Sequence, residues 1–63
     1  MWTSPRHTMP AEREWVVGLW PAPHTDIGRR VDLIRHIEGR GWFDRDGRKQ
    51  DAPSMWAHLG KVD

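Results

Sequence analysis

The sequence predicts a small, mainly β protein, and three features of its 63 residues support that class. Two runs rich in β-branched or aromatic residues, Trp15–Trp20 and Trp42-Phe43, favour extended structure. Glycine turn signals near residues 38–41 and 45–48 are typical of hairpins. Five tryptophans and no cysteine indicate a core built on indole rings without disulfides. We therefore expect a single domain, residues 1–63, with three or four antiparallel strands.

The N-terminal third predicts an irregular segment followed by one strand. Residues 1–10 contain Pro5 and Pro10, which predicts an extended lead-in. The run Trp15–Trp20 is short and apolar and is followed by a proline, so it favours a strand over a helix. Within this strand, Gly18 indicates a bulge or a close packing contact at the backbone. Proline, histidine, threonine, aspartate and glycine then give residues 21–28 the composition of a loop.

The segment 25–38 fits two periodicities about equally well. As a helix, it would begin at an N-cap Thr25 and end at Gly39. As a strand, it places four residues on one side: Val31, Leu33, Arg35 and Ile37. We favour the strand because hairpin signals follow it directly, and a small α+β fold with a single helix within 25–38 is the alternative.

The remaining elements follow from turn chemistry and alternation. The glycines of residues 38–41 lead into the Trp42-Phe43 pair, and Asp46-Gly47 is typical of a tight hairpin turn. Ser54–Leu59 alternates and predicts a final strand, and Gly60–Asp63 is expected to be a tail. Because neighbours in a strand point to opposite faces, only one of Trp42 and Phe43 can belong to the core.

The reactive side chains do not group in the way that catalysis or metal binding requires. The four histidines, at positions 7, 24, 36 and 58, lack the short spacings of zinc ligands. Asp44 and Asp46 flank a turn, where aspartate usually bonds to the backbone, and no hydroxyl has an activating neighbour. No apolar run approaches the roughly 20 residues of a membrane span. We expect a non-enzymatic, intracellular protein with no metal, no cofactor and no membrane contact.

Positive charge is concentrated in the middle of the chain. Residues 28–49 contain seven cations and four acids, a balance of +3, whereas the whole chain carries +1. Arginine beside aromatic rings is common both in single-stranded nucleic-acid sites and in the centres of protein interfaces. The predicted contact group has six members: Arg35, Arg40, Trp42, Arg45, Arg48 and Lys49. The low net charge favours a protein partner over nucleic acid, and the thin core leaves a homodimer open.

Taken in order, the motifs resemble those of short phage and prophage proteins of unknown function. The matching stretches are Trp2, Met9-Pro10, Trp15-Val16-Val17, Val31–Ile37, Gly39–Asp44, Asp46-Gly47 and Ser54–Leu59. Those proteins open with a Trp and a Leu-Pro-like step and close on a His-Trp-x-x-Leu element. Here Met9 and Met55 replace the leucine and the histidine, and the loop 21–28 is longer and richer in proline. The resemblance implies a small β-rich domain from a mobile element, in the cytoplasm of a bacterial host, without implying a biochemical activity.

The expected function is therefore binding. We expect a phage or mobile-element protein that occupies a surface of a host protein or nucleoprotein complex. Inhibitors of host defence, CRISPR inhibitors among them, are often this short and free of cofactors. Direct nucleic-acid binding by the predicted contact group is one alternative, and a structural or assembly role in a virion is the other.

Overall fold

The structure, a computed structural model that describes residues 2–59, contains one five-stranded antiparallel sheet. The strands are β1 (Val16–Pro21), β2 (Arg29–Ile37), β3 (Gly41–Asp44), β4 (Lys49–Gln50) and β5 (Met55–His58). Their order in the sheet is β4-β3-β2-β1-β5, so four strands form a meander and β5 returns to pair with β1. The mainly β class is confirmed. Residues 2–59 include no helix, and hence none long and apolar enough to cross a membrane.

Strand β2 decides the ambiguity over residues 25–38 in favour of extended structure. Its first six residues pair with β1, from Arg29 to Ile34, and its last four pair with β3. Ile34 is therefore paired on both sides, and β2 joins the two halves of the sheet. As an extended strand, β2 offers backbone groups along both edges, and these pair with β1 on one side and with β3 on the other. A helix here would leave the facing backbone groups of β1 and β3 without partners. The helix alternative is wrong.

Both predicted hairpin turns are present, although the second differs in geometry from a tight Asp-Gly turn. The turn at 38–40 has Gly39 at a φ of 80°. In the second turn Gly47 also has a φ of 80°, but Asp46 does not have a positive φ, as a two-residue type I′ loop would require. Instead, Gly47 N–H donates to the carbonyl of Asp44, whose own N–H donates to the carbonyl of Arg48. This pattern is typical of a turn followed by a glycine bulge.

The sheet has one strand more than the three or four that we predicted. Lys49 and Gln50 pair with Phe43 and Trp42 across the second turn and form β4. Two residues are too few to show the alternation that identifies a strand in a sequence. Strand β4 is therefore recognised only from its pairing with β3.

One side of the sheet, which we call the inner face, carries the core. Val16 and Ile34 are fully buried there. Three of the five tryptophans surround them with exposures of 3–7%: Trp20, Trp42 and Trp56. The expectation that indole rings build the core is confirmed for these three, while Trp2 and Trp15 are half-buried.

Two segments outside the five strands are held against the sheet: the N-terminal lead-in and the connector after β4. The Trp56 indole donates to the carbonyl of Thr8 at 2.8 Å, and the backbones of Trp56 and Thr3 exchange two hydrogen bonds of 2.8 Å. The Trp20 indole donates to the carbonyl of Asp51 at 3.0 Å. The predicted lead-in is therefore fastened to β5, and the connector after β4 lies against Trp20. The predicted tail, Gly60–Asp63, lies outside the described residues.

Candidate binding face

The predicted contact group does not form one surface, and Trp42 does not belong to any surface. Trp42 is 6% exposed and lies in the core, with its ring centroid 5.0 Å from that of His36. Alternation places its neighbour Phe43 on the opposite side of the sheet, where Phe43 is half-buried. This corrects the prediction: Phe43, and not Trp42, is the aromatic of the pair that a partner could contact.

The five cations of that group occupy three places. Arg40 is exposed in the turn between β2 and β3, and Arg45 and Arg48 are exposed in the turn between β3 and β4. Only Arg35 and Lys49 lie on strands, and both are register partners of Phe43. The structure therefore brings two of the five cations together on the sheet and leaves three at its turns.

The face opposite the core, which we call the outer face, carries a continuous aliphatic patch. Val17 lies between Leu33 and Ala57 in the register, and Leu19 lies between Val31 and Met55. We define the aliphatic patch by these six residues: Val17, Leu19, Val31, Leu33, Met55 and Ala57. Antiparallel sheets with one solvated face usually alternate apolar and polar residues, so two adjoining aliphatic rows are unusual. Exposed apolar patches mark interaction sites, and the part of this patch around Val31 is exposed.

Exposure varies across the aliphatic patch. Val31 is 51% exposed, whereas Ala57 is only 1% exposed. The other four members are half-buried. All contacts between strands in residues 2–59 join neighbours within the sheet, so no second layer of strands packs on the outer face. The patch is therefore sheltered at the β5 edge and open toward β2.

A second row, which we call the aromatic–cation row, borders the aliphatic patch. Trp15 precedes β1, and the register Val16↔Ile34 places Trp15 opposite Arg35. The guanidinium carbon of Arg35 lies 4.8 Å from the centroid of the Trp15 ring, which is a cation–π contact. Phe43 and Lys49 continue the row across β3 and β4. The row thus alternates aromatic ring and cation from one half of the sheet to the other.

The charges of the strand residues are divided between the two faces. Alternation places Arg29, Arg35 and Lys49 on the outer face. Among residues 2–59, it places no acidic strand residue there. The strand acids Asp32 and Asp44 are in register with inner-face residues instead. The described strands therefore give the outer face apolar side chains together with charges that are all positive.

The remaining polar features are structural turns and ion pairs. Hydrogen bonds from the Arg48 and Asp46 backbone amides, and from the Gln50 side chain, lower the pKa of Asp44 in the β3–β4 turn. Within residues 2–59, no three His, Asp or Glu side chains converge as metal ligands would. A cleft of about 630 Å³ beside Trp42 is lined by Pro5, Met9 and Pro53 among others.

Comparison of the chain with protein-family models, with curated proteins and with solved structures finds no match.

The sequence predicts Val31, Leu33 and Arg35 on one side of β2, but it does not predict the rest of the aliphatic patch or the contribution of Trp15. A signal was present in the adjacent apolar pairs Val16-Val17 and Leu33-Ile34, which place an apolar side chain on each face of the same strand. Such strands are typical of sheets that are covered on both sides. The sequence therefore indicates a second covered face, but it does not show which residues line up across the strands.

Proposed function

We propose that this chain is a small, non-enzymatic binding protein whose outer face docks on a partner protein. The partner surface would be apolar at its centre and bordered by carboxylates. The observation that carries the proposal is the combination of the aliphatic patch with strand charges that, on the outer face, are all positive. Apolar contact would supply affinity, and opposite charge would orient the partner and accelerate association.

The charges favour a different protein over a second copy of the chain. Two copies meeting through their outer faces would bring Arg35 and Lys49 of each copy toward cations of the same sign. Like-charge juxtaposition disfavours such a pairing, whereas an acidic partner would be attracted. The aliphatic patch also favours protein over nucleic acid, because the rings of Trp15 and Phe43 could stack on bases but aliphatic side chains could not.

The biological setting of the proposal rests on the resemblance described above. A phage or prophage protein of this kind would occupy a surface of a host protein or nucleoprotein complex, and inhibition would follow if that surface is needed for function. Inhibition of a host defence system, including CRISPR, is one form of this proposal.

Two matched substitutions test the docking face. Val31→Glu adds a carboxylate to the exposed part of the aliphatic patch, and Ile27→Glu makes the same change in the loop 22–28, where Ile27 is 69% exposed. The tagged wild type should capture a protein from nuclease-treated bacterial lysate, and Ile27→Glu should capture the same protein. Val31→Glu should lose it while keeping the wild-type melting temperature, because Val31 is already half exposed.

Two outcomes would contradict the proposal. Capture that survives Val31→Glu as well as it survives Ile27→Glu would place the binding site elsewhere. Capture that nuclease abolishes in all three proteins would show that the partner is nucleic acid.

A further inference from the structure

Among the charged residues that the described strands place on the outer face, Arg35 is the one that lies in the middle of a strand, whereas Arg29 and Lys49 lie at strand ends. It lies in the middle of β2, with Phe43 opposite on β3 and Trp15 opposite on the β1 side. The Trp15 ring stacks against the guanidinium at 4.8 Å and so restricts its orientation. The adjacent position on the same face is Leu33, a member of the aliphatic patch. Arg35 is therefore a positioned cation at the border of an apolar surface.

The hydrogen-bonding capacity of Arg35 is not used by the described chain. Its Nε atom is buried and has no hydrogen-bond partner. Among residues 2–59 the ion pairs join Arg13 to Glu12, Arg30 to Asp32 and His58 to Glu14, and none includes Arg35. Because Nε is buried, a partner can reach the half-buried Arg35 only through its terminal Nη groups, which make no hydrogen bond or ion pair within residues 2–59. A guanidinium without an acceptor is costly, and an acceptor supplied by a partner would offset that cost.

Arg30 provides an internal comparison on the same strand. Its guanidinium stacks on Trp20 at 4.1 Å, in the same manner as Arg35 on Trp15. Arg30, however, also has acceptors within the chain, since Asp32 lies 3.8 Å away and the Gln50 side chain accepts a hydrogen bond of 3.4 Å. Arg35 thus repeats the arginine–tryptophan stack of Arg30 but lacks the carboxylate that completes it.

We propose that the outer face recognises one carboxylate of its partner, and that Arg35 stacked on Trp15 is the receptor. This inference rests on the proposed function and names the group that the face selects. A planar carboxylate matches the donor fork of a guanidinium, and Asp or Glu beside an aliphatic residue would contact Arg35 and the aliphatic patch together. A phosphate group shares the oxyanion chemistry but brings no aliphatic neighbour to the patch.

The test uses a pair of short peptides that differ only in charge. Acetyl-Leu-Glu-Leu-amide, its Leu-Gln-Leu counterpart and inorganic phosphate are titrated separately into the isotope-labelled protein at constant ionic strength. The NMR signals of the Arg35 Nε–H and the Trp15 indole N–H are followed. The Glu peptide should shift both signals saturably, with at least about tenfold higher affinity than the Gln peptide or phosphate.

Variants assign the effect to the guanidinium fork. Arg35→Lys keeps the charge but removes the planar donors, so it should weaken binding of the Glu peptide about tenfold. Arg40→Lys, the same change in an exposed turn, should bind like the wild type. Equal affinity for the Glu and Gln peptides, equal binding by Arg35→Lys, or a response to phosphate alone would each overturn the inference.

The inference and the proposed function can fail separately. Selective binding of the Glu peptide together with Val31-independent capture would remove the docking proposal and leave a carboxylate site at Arg35. Val31-dependent capture without selective peptide binding would keep the docking face and remove the carboxylate receptor.

Discussion

Gly18 shows how tightly the inner face is packed at a single position. A Cβ added to Gly18 would lie well inside van der Waals contact with the Ile34 side chain and would touch the Trp20 ring. Gly18 does not have a positive φ. Glycine is therefore required here because the neighbouring side chains leave no room for a Cβ, and not because of its backbone conformation. Of the two roles predicted for Gly18, close packing is the one that the structure shows.

We expect Gly18→Ala to lower the free energy of unfolding by about 1–3 kcal/mol, since the added methyl must displace core side chains. Chemical denaturation measures the change. Gly47→Asn is the control, because Gly47 has a φ of 80° with open space around it, and asparagine tolerates that region. A Gly18→Ala variant as stable as the wild type would mean that Ile34 can move aside without cost.

At the scale of elements, the β3–β4 hairpin depends on the carboxylate of Asp44. One oxygen, Oδ1, accepts the backbone N–H groups of Asp46 and Arg48, both at 2.9 Å. The other, Oδ2, accepts the Gln50 side-chain amide at 2.8 Å. These bonds, with that from Arg48 first, lower the pKa of Asp44 below its ordinary value of 3.8. The ionised form is therefore favoured by the folded hairpin.

A lowered pKa makes the hairpin sensitive to acid. The stabilisation from Asp44 is present above the pKa of the unfolded chain and is lost as pH falls through the lower, folded pKa. We expect the stability of Asp44→Asn to change less between pH 5 and pH 2 than that of the wild type, as measured by thermal melts. Asp46→Asn removes a charge from the same turn but none of these acceptors, so it should retain the wild-type response. A wild-type response in Asp44→Asn would contradict the role of this carboxylate.

An element can be predicted from the sequence when the residues that determine it are neighbours in the chain. Strand β1 and both hairpin turns are predicted from the sequence because a Val/Trp run and turn glycines are local signals, and the structure contains all three. Strand β4 was not predicted, because Lys49 and Gln50 are extended only through pairing with β3. For β2, helical and extended periodicities coexist in the sequence, and the pairing with β1 and β3 decides between them.

For the whole molecule, the assignment of faces is what the sequence could not provide. Alternation shows that Trp42 and Phe43 point in opposite directions, but it does not show which direction leads to the core. The lead-in and the connector after β4 decide this by hydrogen bonding to Trp56 and Trp20, and these contacts span 48 and 31 residues. The predicted contact group therefore includes one core residue, Trp42, and the binding role of its cations stays a prediction.

The charges of the outer face lead to a prediction about self-association, because the sequence alone is compatible with both a monomer and a homodimer. Cations on two copies repel at low salt, whereas the aliphatic patch attracts at any salt concentration. In about 1 M sodium chloride the screening length falls to about 3 Å, so the repulsion is largely removed. Association through this face should therefore strengthen with salt, in contrast to binding of nucleic acid, which weakens with salt.

Sedimentation velocity at low salt and at about 1 M salt measures this effect. The wild type should be monomeric at low salt and should form some dimer at high salt. Val31→Lys places a further cation in the aliphatic patch and should abolish the high-salt dimer, whereas Ile27→Lys, in the loop 22–28, should leave it unchanged. A dimer that is stable at low salt and dissociates as salt is added would mean that ion pairs join the copies. The cationic outer face could not then be the surface between them, because the acids of the described strands, Asp32 and Asp44, lie on the inner face.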